Sequence, residues 1–194
     1  VIVGSGIMAE NLNNDNDIRL LANTIATGAG LFVLITAFAN ISGAHLNPFV
    51  SLSMYLTKRI KGKELLTFIP AQILGCLLGV MLANVFFEHS IIELSTKNRD
   101  GFHIFLSEIV ATFGLIFIIF ATLKDGKTTV AACVATYISA GYWFTSSTSF
   151  ANPAVAIART FTDSFTGINY LNTPTYIFAE LLGAIVAIYI IKRL

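Results

Sequence analysis

Asparagine followed by proline occurs twice in the sequence, each time after a run of small residues, in SGAHLNPFV and in STSFANPAV. The residues concerned are Asn47, Pro48, Phe49, Asn152, Pro153 and Ala154. An asparagine side chain accepts hydrogen bonds from the unpaired N–H groups at a helix start, and a proline in the first helical position has no N–H to leave unpaired. Each stretch therefore predicts the beginning of a short helix.

Apolar residues dominate the rest of the chain. Of its 194 residues, 55% are hydrophobic and 12% are charged, whereas soluble domains carry about 25% charged residues. Together with a mean hydropathy of +0.76, this composition predicts an all-α membrane protein in contact with lipid. The net charge of +1 gives no reason to expect a nucleic-acid partner. No nucleophile–base pair, phosphate-binding glycine loop or metal-ligand spacing occurs, so we expect no enzyme, cofactor or bound metal.

Five apolar segments are close to the roughly 20 residues that a membrane-spanning helix needs. They cover 18–39, 65–87, 102–123, 128–145 and 174–191. The apolar segment 1–10 has half that length, so we expect it to be the end of a truncated first helix, which gives six transmembrane helices. Segments 42–58 and 147–162 are too short and too polar to cross. They fit two re-entrant half-helices, because irregular backbone is tolerated at membrane depth only inside protein or beside a cavity.

The chain also contains an internal repeat. PAQILGCLLG (70–79) aligns with FAELLGAIVA (178–187) at an offset of 108, and the two Asn-Pro pairs are 105 residues apart. We predict one domain over 1–194 made of two repeats, 1–101 and 102–194, each with three spans and one half-helix. Because three spans are an odd number, the second repeat enters the membrane inverted relative to the first.

Basic residues are concentrated in loops 58–64 and 124–127 and beside the C-terminus, which hold eight of the twelve. Cytoplasmic loops carry an excess of Lys and Arg. The pattern predicts a multi-pass protein of the cell membrane with both termini in the cytoplasm.

Two half-helices that enter from opposite faces would bring Asn47 and Asn152 together near the middle of the membrane. Each helix start carries roughly half a positive charge, and each amide can donate to a water molecule between them. Backbone carbonyls of the preceding residues would supply acceptors, at Gly43, Ala44, His45, Phe150 and Ala151. Such a passage admits small neutral solutes, repels cations and interrupts the water chain that protons need.

SGAHLNPFV and ANPAV, within a six-span inverted repeat, resemble the aquaporin or major intrinsic protein family over essentially the whole chain. The resemblance implies an aquaporin-like fold that acts as a channel domain, a homotetramer with one pore per subunit, and water and small neutral solutes as ligands. It also implies that Gln72, Glu108 and Glu180 brace the re-entrant loops. We interpret His45 as a loop-bracing residue rather than a metal ligand.

Counting from the Asn-Pro motifs places the family's outer constriction at Thr27, Ala140, Ser149 and Val155, although the second position can shift to Gly141. Most family members have arginine where this chain has Val155. Loss of that charge and of its donors predicts a wider, neutral constriction for polyhydroxylated solutes. The set resembles a bacterial branch linked to uncharged metalloid hydroxides such as arsenous acid.

Two residues near the motifs leave alternatives open. Arg159 lies one helical turn beyond Val155 and either guards the outer vestibule or, as we favour, pairs with Asp163 at the surface. Phe49 either narrows the passage or, as we favour, packs against the facing half-helix.

We expect a passive channel for water and small uncharged solutes, with glycerol or metalloid hydroxides as candidates. Three other functions are compatible with the sequence. One is a strictly water-selective channel. Another is a proton-coupled secondary transporter that uses the intramembrane acids Glu108 and Glu180. The third is a structural membrane protein whose passage is closed by Phe49.

Overall fold

A computed structural model describes residues 1–193; Leu194, which ends the predicted second repeat, lies outside the described residues. The described chain forms eight α-helices and no β-strand. They are α1 Ile2–Leu12, α2 Asn16–Phe38, α3 Pro48–Leu56, α4 Gly62–Phe86, α5 Phe102–Thr122, α6 Lys127–Phe144, α7 Pro153–Ala158 and α8 Thr173–Ile191. Short 3₁₀ turns follow α5 and α7, at Leu123–Asp125 and Arg159–Phe161.

The long helices coincide with the apolar segments of the sequence. Helices α2, α4, α5 with its 3₁₀ turn, and α8 are long and apolar enough to cross a membrane. The five long segments expected from the sequence match α2, α4, α5, α6 and α8 to within three residues at either end. Large apolar side chains such as Leu66, Leu74 and Leu78 are exposed on the outside of α4. Exposure of this kind suits lipid as the surrounding solvent and fits a multi-pass membrane protein.

The packing of the helices has an internal symmetry. In the first half α1 packs on α2 and α4, and in the second half α5 packs on α6 and α8. Between the halves α2 packs on α6, α3 on α8, α4 on α7, and α3 on α7. Exchanging α1–α4 with α5–α8 reproduces the same set of pairs. This supports a division into two repeats, although the boundary at residue 101 stays a prediction.

The largest apolar core surrounds the half-helix α3. Phe49, Val50 and Met54 of α3 lie in one buried cluster with Ala111 of α5 and Ala184 of α8. Helix α3 is therefore held in the centre of the bundle, and it contacts α7 there, so the N-termini of the two half-helices can meet.

Candidate functional site

The two half-helices begin as their sequences predict. The side-chain oxygen of Asn47 accepts from the backbone N–H of Phe49 at 2.9 Å, and that of Asn152 accepts from Ala154 at 3.1 Å. A proline occupies the first position of each helix. Each asparagine oxygen is thus used by its own helix, which turns the amide nitrogen away from it.

Both amide nitrogens donate across to the other half of the chain. Asn47 Nδ2 donates to the carbonyl oxygen of Ala151 at 2.6 Å, and Asn152 Nδ2 donates to that of Leu46 at 2.9 Å. Each acceptor is the residue directly before the opposite asparagine, so the two hydrogen bonds are reciprocal. An amide group has two hydrogens, which leaves one on each asparagine for a solute.

The backbone before each asparagine repeats at the same offset of 105 residues. The residues with positive φ are Gly43 (79°), Ala44 (48°) and Leu46 (51°) in the first half and Thr148 (62°), Ser149 (51°) and Ala151 (48°) in the second. Left-handed backbone costs a non-glycine residue roughly 1–2 kcal/mol. Five of these six positions are not glycine, so packing and hydrogen bonds must hold both loops in this shape.

These loops present unpaired acceptors. The carbonyl oxygens of Gly43, Ala44, His45, Ser149 and Phe150 accept no hydrogen bond from any of residues 1–193. All five residues line the same central cavity. A carbonyl without a protein partner requires water or a solute, so four of the five carbonyls predicted from the sequence are available to a permeating molecule. The fifth, that of Ala151, instead accepts from Asn47.

The cavity passes the asparagine pair and continues through both halves. Thr27, Val155 and Arg159 line one end, and Met54 and Val130 line the other. Its volume is about 120 Å³, which accommodates a few water molecules at about 30 Å³ each. The wall opposite the carbonyls is apolar and consists of Leu31, Ile35, Leu115, Val134 and Ile138.

Two buried glutamates hold the second loop. Glu108, which is fully buried, accepts from the N–H groups of Phe150 at 2.9 Å and Ala151 at 2.8 Å. Glu180, also fully buried, accepts from the N–H of Asn152 at 2.9 Å through Oε1, while Oε2 has no partner. Three consecutive N–H groups are therefore turned away from the cavity, which directs the adjoining carbonyls toward it.

The first loop is braced through a serine that sequence reasoning missed. Gln72 donates to the Ser51 hydroxyl at 2.9 Å, and that hydroxyl lies 3.0 Å from Nδ1 of His45. Because Ser51 accepts from Gln72, its own hydrogen remains for His45. The sequence did hold a signal for this role. Ser51 follows Asn47 by four residues, which places it on the turn of α3 that faces its own loop. Among the described residues no three His, Cys, Asp or Glu side chains are grouped to hold a metal ion.

One of the four expected constriction residues lies elsewhere. Thr27, Ser149 and Val155 line the cavity, but Ala140 does not, and it is exposed on the outer side of α6. The inner face of α6 at this level carries Tyr142, whose hydroxyl lies 3.2 Å from that of Thr27. The prediction of Ala140 is corrected because counting back from Asn152 assumed the family's loop length. An error of two residues along a helix changes the direction of the assigned side chain by about 200° around the helix axis.

The residue that α6 contributes at this end of the cavity therefore differs from the small side chains expected there. Tyr142 is large, aromatic and buried. Gly141, the alternative position, faces Ser149: a Cβ atom on it would lie 2.6 Å from the serine hydroxyl. Phe49 lies in the core around α3 and is not among the residues that line the cavity.

Arg159 is buried, with 3% of its surface exposed, and it lines the cavity. Its Nε donates to the carbonyl oxygen of Thr166, and its Cζ lies 3.5 Å from the centre of the Phe150 ring. The favoured surface pair with Asp163 is wrong. Helix α7 ends at Ala158 and the chain becomes extended at Thr162, so the helical spacing that the pair requires is lost.

A second arginine at this end was not anticipated as part of the site. Cζ of Arg99 lies 5.6 Å from the centre of the Phe150 ring, and its guanidinium donates to the carbonyl oxygens of Gly167 at 2.8 Å and Phe165 at 3.0 Å. Burial lowers the pKa of Arg99 from its ordinary value. Nothing in the sequence distinguishes Arg99 from other loop cations, because its partners are backbone atoms.

Residues 1–145 match the family model described as Major intrinsic protein. Over 193 residues the chain is 46% identical to Aquaglyceroporin AqpS of Rhizobium meliloti (strain 1021), which covers 100% of this chain and 83% of that protein. It is 27% identical over 194 residues to Aquaporin-4 of Rattus norvegicus, which covers 95% of this chain and 59% of that protein. Over 131 residues it is 36% identical to Aquaporin TIP1-2 of Musa acuminata, which covers 64% of this chain and 51% of that protein. The chain thus spans less than two thirds of the length of the latter two relatives.

Proposed function

Because the chain belongs to the major intrinsic protein family, we propose that it is a passive transmembrane channel for water and small uncharged solutes such as glycerol. The observation that carries the proposal is the reciprocal pair of hydrogen bonds in which Asn47 and Asn152 each donate to the opposite loop, beside a continuous cavity. A passive channel catalyses no reaction, so the protein is not an enzyme.

The geometry accounts for conduction of neutral molecules. A solute that enters the cavity can donate to the free carbonyls of residues 43–45 and 149–150 and accept from the remaining amide hydrogens of Asn47 and Asn152. The apolar wall opposite offers nothing in exchange for the hydration of an ion. Ion entry is therefore costly, because a charge that loses water without replacement is strongly disfavoured.

The asparagine pair also opposes proton conduction. A water molecule that accepts from both amides has its own hydrogens directed outward along the file, toward the carbonyls on either side. The chain of like-oriented hydrogen bonds that proton hopping requires is then interrupted at this point. The N-termini of α3 and α7 add a positive potential at the same level.

Uncharged metalloid hydroxides such as arsenous acid belong among the proposed solutes. Val155 is apolar and short, Thr27 contributes a hydroxyl group to the same lining, and Ser149 lines the cavity with its hydroxyl oxygen buried beside Gly141. Compact polyhydroxylated molecules can both donate to and accept from this lining. The similarity to an aquaglyceroporin supports a passage that admits more than water.

We also propose that four copies assemble in a bacterial cell membrane, each with its own passage and with both termini in the cytoplasm. The basic loops at 58–64 and 124–127 support this orientation. The division into repeats 1–101 and 102–194 belongs to the same proposal and is supported by the symmetric packing of the helices.

Stopped-flow light scattering on reconstituted liposomes tests the proposal with gradients of water, glycerol and arsenous acid at neutral pH. We expect all three to equilibrate much faster than in empty liposomes, without saturation and without dependence on a pH gradient. Water flux alone would reject the solute range and leave a water channel. Saturable uptake driven by pH would indicate a transporter, and permeability equal to that of bare lipid would reject a channel altogether.

A further inference from the structure

We propose that Arg159 is a fixed cation barrier at the mouth of the passage that Val155 lines. The inference rests on the proposed function and adds a residue that determines its selectivity. Val155 leaves the constriction neutral, and Arg159 places a charge one helical turn farther along the same half of the chain.

The guanidinium of Arg159 is anchored at one edge only. Nε donates to the carbonyl oxygen of Thr166, and the group stacks on Phe150 with Cζ 3.5 Å from the ring centre. Its Nε–H to the Thr166 carbonyl is the one hydrogen bond that the side chain makes within residues 1–193, so its two Nη atoms donate to none of them, and the side chain lines the cavity. The unpaired nitrogens are therefore available to the contents of the passage.

No carboxylate neutralises this charge at short range. Among residues 1–193, no Asp or Glu oxygen lies within 4 Å of Arg159. The titratable groups that interact electrostatically with the Arg159 guanidinium are Arg99, Tyr142, Tyr176 and Glu108. Glu108 uses both oxygens on the N–H groups of Phe150 and Ala151, while Arg99 adds a second positive charge beside the same ring.

Burial of a cation without a counter-charge destabilises the folded state, and ionisable groups at membrane depth mark sites of function. Arg159 follows Asn152 by seven residues, which corresponds to roughly 10 Å at about 1.5 Å per residue. Over that distance, in an environment with an effective dielectric constant near 20, one charge changes the population of another by about tenfold. The field of Arg159 therefore reaches from the mouth to the asparagine pair and adds to the barrier of the helix ends.

Neutral solutes experience this field only weakly. The arrangement separates two properties, because Val155 sets the width available to a solute and Arg159 sets the electrostatic cost to a cation. The chain can then admit bulky uncharged molecules and still exclude sodium and potassium ions.

The test compares Arg159→Leu with Arg159→Lys in liposomes, with potassium permeability and water permeability measured on the same preparation. We expect Arg159→Leu to increase potassium permeability about tenfold, while Arg159→Lys retains the charge and stays tight. Arg193→Leu is the matched control, because Arg193 also stacks on an aromatic ring, that of Tyr189 at 3.9 Å, but is exposed just beyond α8 and is not among the residues that line the central cavity. Arg159→Leu that conducts water normally and remains impermeable to potassium would overturn the inference.

Arg159→His gives a second measurement in case the leucine variant fails to fold. An imidazole has an ordinary pKa near 6.5, and burial beside Arg99 lowers the pKa of a histidine, so the charge is absent at about pH 8 and returns only as the pH falls below this lowered pKa. We expect a reversible potassium leak at the higher pH, with water flux constant. A leak that does not change with pH would contradict the inference. Absence of water flux in the unmodified protein would instead reject the proposed function.

Discussion

The hydroxyl groups of Thr27 and Tyr142 lie 3.2 Å apart, and their contact joins α2 of the first half of the chain to α6 of the second. Both residues are buried and both line the cavity at the same end as Val155. The contact therefore places two hydroxyl groups at the level where we expect solutes to be selected.

Removal of the tyrosine hydroxyl should affect hydroxylated solutes more than water. Tyr142→Phe removes one donor and one acceptor from the lining, so we expect glycerol permeability to fall by about threefold to tenfold, equivalent to roughly 1 kcal/mol. Tyr137→Phe is the control, because the Tyr137 hydroxyl donates to the Val110 carbonyl at 3.2 Å outside the cavity. Equal glycerol fluxes in the two variants would show that the Tyr142 hydroxyl does not contact the solute.

Introduction of arginine at Val155 should narrow the passage. Val155→Arg adds a long charged side chain within a lining that already contains Thr27 and Ser149. We expect glycerol and arsenous acid fluxes to decrease at least tenfold and water flux to decrease less, as measured by stopped-flow light scattering. Unchanged glycerol flux in a folded variant would show that Val155 is not at the constriction.

The sequence predicted those features that depend on local chemistry. Apolar length located the spans, and the Asn-Pro caps located both half-helices, because each feature depends on a few adjacent residues. The meeting of Asn47 with Asn152 was predicted from the inverted repeat, which brings the two half-helices in from opposite faces. Glu108 and Glu180 were identified through resemblance to the family, and the structure places both against the second loop.

The wrong positions depended on geometry between elements. Ala140 was placed by counting through a loop, and the rotation of α6 relative to α2 cannot be read from residue numbers. Arg159 was expected at the surface because a helix was extended beyond its end at Ala158. Asp163, its expected partner, instead accepts from the backbone N–H of Thr96 at 2.8 Å, a contact between distant loops.

The two buried glutamates should respond differently to neutralisation. Glu108→Gln replaces one of two accepting oxygens by an NH₂ group that faces an N–H, so we expect a loss of about 1–3 kcal/mol in unfolding free energy. Glu180→Gln keeps the one oxygen that is used, and its other oxygen has no partner. We expect Glu180→Gln to fold and conduct normally, as judged by thermal unfolding and water flux. Loss of a pH-driven uptake in folded Glu180→Gln would favour a transporter.

A methyl group at Gly141 should disturb the mouth of the passage. The added Cβ atom would lie 2.6 Å from the Ser149 hydroxyl, so Gly141→Ala must displace Ser149, which lines the cavity. We expect a fall in both water and glycerol flux. Gly79→Ala is the matched control, since a Cβ atom there meets no atom of residues 1–193 within 4 Å apart from the adjoining turns of its own helix. Normal flux in Gly141→Ala would mean that Ser149 has room to move away from the cavity.

The central claim is that one aqueous passage runs between Asn47 and Asn152. Val50 and Val155 each follow one of these asparagines by three residues, and both line the cavity, whereas the native Cys76 and Cys133 do not. The most direct measurement is osmotic water flux in Val50→Cys and Val155→Cys before and after mercuric ion, which binds thiolates as a soft ligand pair. We predict that mercury stops water flux in both variants, that a thiol reductant restores it, and that the unmodified protein is unaffected. Full water flux through either variant after its introduced thiol has demonstrably bound mercury would contradict the account.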